Sequence, residues 1–148
     1  MKKLIVCFSL LLALISCQDA VQQVAGTYSY KISGSVIITS TNLFGEEEND
    51  TVTLSEEMGT MELIPLDSIT AMMTFNALNG PVYVTQAEIH DKDVTLQSYE
   101  RDIMIRAKDY HITASGDGEF YDNTLIITLQ YECDGVEDNQ LIMLCKKN

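Results

Sequence analysis

From Val24 to the C-terminus, hydrophobic and polar residues alternate along short segments that turn-forming residues separate. The first segment places Tyr28, Tyr30 and Ile32 on one side and threonine, serine and lysine on the other. A repeat of two residues is typical of a β-strand with one face in a core. Gly34 interrupts this segment and predicts a bend or bulge, which would let one long strand serve two places in a closed sheet.

The same alternation recurs in the rest of the chain. Turns rich in glycine, asparagine and acidic residues are predicted at residues 45–50, 76–81, 115–123 and 134–139. The strands predicted between them include Val52 and Leu54; Met61 and Leu63; Ile69, Ala71, Met73 and Phe75; residues 82–90; Val94 and Leu96; Ile103 and Ile105; residues 110–115; Leu125 to Cys133; and Leu141 to Cys145. The spacing predicts an all-β fold, an antiparallel barrel of about 8–10 strands or a closed sandwich.

The lengths and faces of these strands favour a barrel whose outer face is in water. Strands that cross a membrane need about 9 to 11 residues and aromatic girdles at both interfaces. Most strands predicted here are shorter, their second face is rich in Thr, Ser and acidic residues, and the chain contains no Trp.

The N-terminus has a different pattern. Two lysines precede an apolar run of 12 residues, Leu4 to Ile15. A membrane-spanning helix needs about 20 apolar residues, so this run is typical of a secretory signal instead. The sequence LISC at residues 14–17 resembles the lipobox of bacterial lipoproteins. The alternative is a cleaved secretory signal with an incidental cysteine.

The lipobox resemblance implies a division of the chain into three parts. Residues 1–16 would be a lipoprotein signal peptide, residues 17–24 a lipidated N-terminus and tether, and residues 25–148 a single barrel domain. Stable anchoring takes more than one acyl chain, which a diacylglyceryl group and an N-linked palmitate on Cys17 would supply. Gln18, rather than aspartate, follows Cys17 and favours the outer membrane, on its periplasmic or surface face.

Charge limits the partners that this domain could bind. Without residues 1–16 the chain keeps all 22 acidic residues of the sequence but only seven of its nine basic ones. Such an acidic domain repels phosphate backbones and anionic lipid surfaces, which argues against nucleic acid as a partner. The expected membrane contact is therefore the lipid on Cys17 and not a basic patch.

Three features together resemble a known family: the lipobox with its short tether, the segment that opens the domain and the segments that close it. AGTYSYKISG at residues 25–34 opens the domain, and the segments at residues 114–135 and 141–147 form a glycine-rich turn and a closing hairpin. They are similar to the small lipocalin-like, or calycin-like, lipoproteins of Bacteroidota. The resemblance implies a lipocalin-like β-barrel in the cell envelope.

If such a barrel is hollow, Tyr28, Tyr30, Met73, Phe75, Ile127 and Tyr131 are the candidate cavity-lining residues. Tyrosines would give the cavity an apolar wall with hydroxyl groups that orient a ligand. The alternative is that these side chains fill the interior, as is usual in barrels of about eight strands.

Sequence motifs give no support for catalysis, a cofactor or a metal. Nucleophile-elbow, zinc-protease and P-loop motifs are absent, and the two histidines, His90 and His111, lie in ordinary turn and strand positions. Cys133 and Cys145 are either a disulfide, which export would permit, or two small buried residues.

These observations favour a non-enzymatic, lipid-anchored envelope protein that binds a small apolar ligand, a glycan or another envelope protein. The alternatives are a small hydrolase or metal-dependent enzyme, which would need His90 or His111 beside acidic residues in a cleft, and a purely structural lipoprotein.

Overall fold

A computed structural model describes residues 19–148. Over this range the chain forms one short helix, α1 (Ala20–Val24), followed by nine β-strands. The strands are β1 (Gly26–Thr41), β2 (Glu47–Thr53), β3 (Glu57–Pro65), β4 (Thr70–Ala77), β5 (Val82–His90), β6 (Asp93–Ile105), β7 (Lys108–Tyr121), β8 (Thr124–Glu132) and β9 (Val136–Lys147). The predicted signal peptide and the predicted lipidation site at Cys17 lie outside the described residues.

The strands form a closed antiparallel barrel of eight strands with one additional strand. Seven strands, β3 to β9, follow one another around the wall, and β1 closes it by pairing with both β3 and β9. The first half of β1 pairs with β3, and its second half, after Gly34, pairs with β2. The barrel confirms the predicted fold class, and the two partners of β1 agree with the predicted role of Gly34.

Several predicted boundaries were wrong. The turns predicted at residues 45–50 and 134–139 extend into β2, which begins at Glu47, and β9, which begins at Val136. The two short strands expected around Val94 and Ile103 are one strand, β6, in which the register shifts between Leu96 and Tyr99. Residues 116–121, expected in a turn, belong to β7, because Gly116 and Gly118 lie directly beside β8 and pair with it. Ile69 was expected in an inward row but lies before β4 and is 44% exposed.

One end of the barrel is closed by α1, which lies where β1 begins and β9 ends. Val21 is completely buried and belongs to the core cluster, and α1 packs against β3 and β5. The Tyr28 hydroxyl donates a hydrogen bond to the Val24 carbonyl, and Lys147 Nζ donates to the Gln23 carbonyl at 3.2 Å. The barrel thus has a continuous core and a closed wall, and we expect residues 18–148 to fold without residues 1–17. Within the described range, no helix is long and apolar enough to span a bilayer.

The two cysteines of the barrel are free thiols at opposite ends of the β8–β9 hairpin. Cys133 pairs with Val136 next to the β8–β9 turn, whereas Cys145 lies nine positions further along β9, opposite Tyr30 and Leu125. Nine residues of strand span about 30 Å, far beyond the reach of a disulfide. Of the two alternatives for these cysteines, the structure therefore excludes the disulfide. Both residues are unbridged, and Cys145 is fully buried.

We expect the free energy of unfolding to fall as the pH rises above 9. Burial raises the pKa of the Cys145 thiol from its ordinary value of 9.0 to about 12. Between these values the unfolded chain has lost a proton that the folded chain retains, so each pH unit removes up to about 1.4 kcal/mol of stability. Urea unfolding of wild type and Cys145→Ala at several pH values between 8 and 11 measures this. The wild type should lose stability more steeply; parallel curves would contradict the expectation.

Candidate functional site

A pocket of about 560 Å³ lies at the end of the barrel opposite α1. It occupies the place where β2 separates from the wall, between residues 54–58, the β4–β5 turn at residues 77–81 and residues 101–104 of β6. Tyr83 and Tyr131, on the inner faces of β5 and β8, also line it. Exposed apolar side chains lie in the segments around this end: Leu43, Phe44, Leu78 and Met104.

Arg101 is the central polar group of this pocket. Its side chain is 4% exposed and forms an ion pair with Glu57, whose side chain is 24% exposed. Arg101 Nη1 donates a hydrogen bond to the Tyr131 hydroxyl at 3.4 Å, and its guanidinium carbon lies 4.3 Å from the centre of the Tyr83 ring. The Tyr30 hydroxyl donates to the second Glu57 oxygen at 2.9 Å. We call Tyr30, Glu57, Tyr83, Arg101 and Tyr131 the arginine cluster.

The environment keeps this cluster charged at Arg101 and neutral at its tyrosines. Burial lowers the pKa of Arg101, but Tyr131 and the Glu57 carboxylate outweigh burial and hold that pKa above its ordinary value. Burial raises the pKa of Tyr131 and of Tyr30, and Glu57 raises the pKa of Tyr30 further. The cluster therefore contains a permanent cation that is paired with Glu57, and phenol hydroxyl groups that do not ionise near neutral pH.

The six candidate cavity-lining residues are all buried in the barrel interior: Tyr28, Tyr30, Met73, Phe75, Ile127 and Tyr131. Of these, Tyr131 lines the pocket, and Tyr30 donates a hydrogen bond to Glu57, which also lines it. The others pack in the core; Phe75, for example, contacts the Tyr30 ring edge-on with centroids 5.5 Å apart. The interior is thus filled towards α1 and open at the other end.

Neither histidine lines the pocket, and both side chains are exposed. His111 Nδ1 lies 2.8 Å from Asp102 Oδ1, and its side chain is 65% exposed. The hydrogen bond to Asp102 raises the pKa of His111. His90 is 64% exposed and lies 3.9 Å from Glu88. In residues 19–148, no group of three or more His, Cys, Asp or Glu side chains is placed to hold a metal ion.

Arg101 and Glu57 were not among the residues proposed from the sequence, whereas Tyr83 was one of the strand tyrosines that could line a cavity. A signal for Arg101 was present, since Tyr99, Arg101 and Ile103 occupy alternate positions and so share the inward face of β6. A charged residue at an inward position of a strand is rare unless it is paired. Glu57 has no comparable signal, because only the fold brings it to Arg101. For Tyr83, the alternation along residues 82–90 indicates an inward position but not its contact with Arg101.

Neither a protein-family model nor a curated protein matches this chain. Two solved structures have similar backbones. One is the redesigned β-barrel mFAP1 bound to DFHBI, with a TM-score of 0.51 and 12% identity over 88% of this chain and 100% of that one. The other is EF1p2_mFAP2b bound to DFHBI, with the same TM-score and identity over 88% of this chain and 98% of that one. At this identity the likeness shows the fold alone, a closed antiparallel β-barrel.

Proposed function

We propose that this protein is a lipid-anchored cell-envelope protein that binds a small, mainly apolar ligand in the open end of its barrel. It performs no chemistry on that ligand. The pocket with the arginine cluster is the observation that carries the proposal.

The size and lining of the pocket support ligand binding. Pockets for small molecules usually measure about 300–1,000 Å³ and combine apolar walls with a few placed polar groups. Here the pocket measures about 560 Å³, and its lining includes Ile32, Leu54 and Leu141 besides Tyr83, Arg101 and Tyr131. Both barrels of similar fold were solved with the compound DFHBI bound.

The lipid anchor is supported by the sequence at residues 1–17 and is compatible with the position of α1. Asp19, the first described residue, precedes α1 at the closed end of the barrel, two positions after Cys17. Two residues span at most about 7 Å, so a lipid on Cys17 would hold the closed end close to the membrane. The pocket would then face away from that membrane.

Mass spectrometry of the full chain, produced in a bacterium and extracted from its membranes, tests this proposal. We expect the denatured mass to show loss of residues 1–16 and addition of acyl chains. For residues 18–148, purified without detergent, we expect a native mass above the denatured mass, because a non-covalent ligand occupies the pocket.

Two controls separate the parts of this expectation. Cys17→Ser should abolish acylation, and an unchanged acyl mass in that variant would contradict a lipid on Cys17. Tyr83→Trp should lower the fraction of protein that carries a ligand, because the larger ring fills pocket volume next to Arg101. Equal native and denatured masses of residues 18–148, in protein from every host tried, would contradict ligand binding.

A further inference from the structure

We propose that the pocket selects uncharged over anionic ligands, and that Glu57 sets this selection by neutralising Arg101. The inference rests on the proposed ligand binding and names the class of ligand. It follows from the charges and the apolar wall of the pocket.

The charge of Arg101 is already balanced before any ligand arrives. Its guanidinium forms an ion pair with Glu57, and that carboxylate is fixed from its other side by the Tyr30 hydroxyl. The charged side chains that line the pocket are three carboxylates and two guanidinium groups: Glu56, Glu57, Asp102, Arg101 and Arg106. Arg106 is also paired, with Asp50 at the surface, and Glu56 is paired with Lys31. A ligand carboxylate would therefore meet guanidinium groups that are already paired and would lie beside the Glu57 carboxylate, which disfavours it.

The wall of the pocket favours an uncharged ligand. The ring of Tyr83 and the wall residue Leu141 offer apolar contact. Arg101 Nε, which finds no acceptor among the described residues, is too deeply buried for a ligand atom to reach.

Binding of two molecules of the same shape to residues 18–148 tests the proposal. 2-Acetylnaphthalene is an uncharged ketone, and 2-naphthoate has the same fused rings with a carboxylate in place of the acetyl group. We expect wild type to bind the ketone about tenfold or more tightly than the naphthoate, measured by calorimetry at pH 7.5, because the naphthoate would lie beside Glu57.

Glu57→Gln is expected to change this preference. The substitution keeps the size of the side chain but leaves the charge of Arg101 unbalanced, so naphthoate binding should strengthen about tenfold while ketone binding changes less than about threefold. Glu100→Gln is the matched control. Glu100 precedes Arg101 in the sequence but lies on the exposed outer face of β6, so this substitution removes an equal charge outside the pocket. Both affinities should stay within about twofold of wild type in that variant.

Each outcome decides a stated part of the proposal. Equal or tighter binding of naphthoate by wild type would overturn the selection for uncharged ligands and leave ligand binding itself intact. An unchanged preference in Glu57→Gln would overturn the role of Glu57. Failure of both probes to bind wild type would overturn this inference, whereas the native mass measurement decides the proposed function separately. The wild-type comparison remains decisive if Glu57→Gln does not fold, which circular dichroism would show.

Discussion

Gly34→Ala should lower the free energy of unfolding by about 4 kcal/mol, or prevent accumulation of the folded protein. Gly34 has φ +149°, and an added Cβ would lie 2.0 Å from the Gln140 carbonyl oxygen on β9. This neighbour is backbone at the seam that closes the barrel, so it cannot turn away as a side chain could. The strained backbone contributes about 1–3 kcal/mol and the overpacking a similar amount.

Gly45→Ala is the matched control for this prediction. Gly45 also has positive φ, +82°, but an added Cβ would meet no atom within 4 Å. Its loss of about 1 kcal/mol would measure the backbone strain alone. Urea unfolding followed by circular dichroism gives both values. Similar losses in the two variants would show that β1 and β9 approach less closely at Gly34 than the structure has them.

Arg101→Met should lower the free energy of unfolding by about 3 kcal/mol. The change leaves the Glu57 carboxylate with the Tyr30 hydroxyl as its partner in a largely buried position, and removes the cation that faces the Tyr83 ring. Breaking one side of a buried ion pair costs about 3–5 kcal/mol, and the partial exposure of Glu57 places the loss at the lower end.

A double-mutant cycle shows whether this loss comes from the uncompensated carboxylate. The double variant Arg101→Met/Glu57→Gln should be more stable than Arg101→Met alone, because it contains no unpaired charge. Arg106→Met, which breaks a pair exposed by more than half at the surface, should change stability by less than about 1 kcal/mol. A double variant no more stable than Arg101→Met would mean that lost packing, not charge, is the cause.

The alternation of hydrophobic and polar residues correctly predicted those strands in which one face is buried along the whole length. β5 begins and ends at the predicted residues, and each inward position from Tyr83 to Ile89 is buried. β7 was harder, because glycines mark both turns and places where strands approach closely. An added Cβ at Gly118 would lie 2.2 Å from the Ile126 carbonyl oxygen. Local sequence does not distinguish that situation from a turn.

The candidate site was less predictable than the fold because its contacts are distant in sequence. Arg101 lies 44 positions from Glu57 and 30 from Tyr131 in the sequence, so the pattern of neighbouring residues does not indicate these contacts. The tyrosine content indicated that phenol groups would enter the interior. Which of them would surround a cation depended on the strand register, above all on the shift within β6 that places Arg101 inward.

The pairing of β1 with β9 also determines the order in which the barrel can assemble. Ser29 Oγ donates to Asn148 Oδ1 at 2.7 Å across 119 positions of sequence, so the first strand closes only against the last. A chain made from its N-terminus therefore exposes the free edge of β1 until synthesis is almost complete. Contacts between such distant segments make folding slow, and an unpaired edge is prone to join another chain. Loss of β9 would consequently leave an open sheet that aggregates, not a smaller barrel.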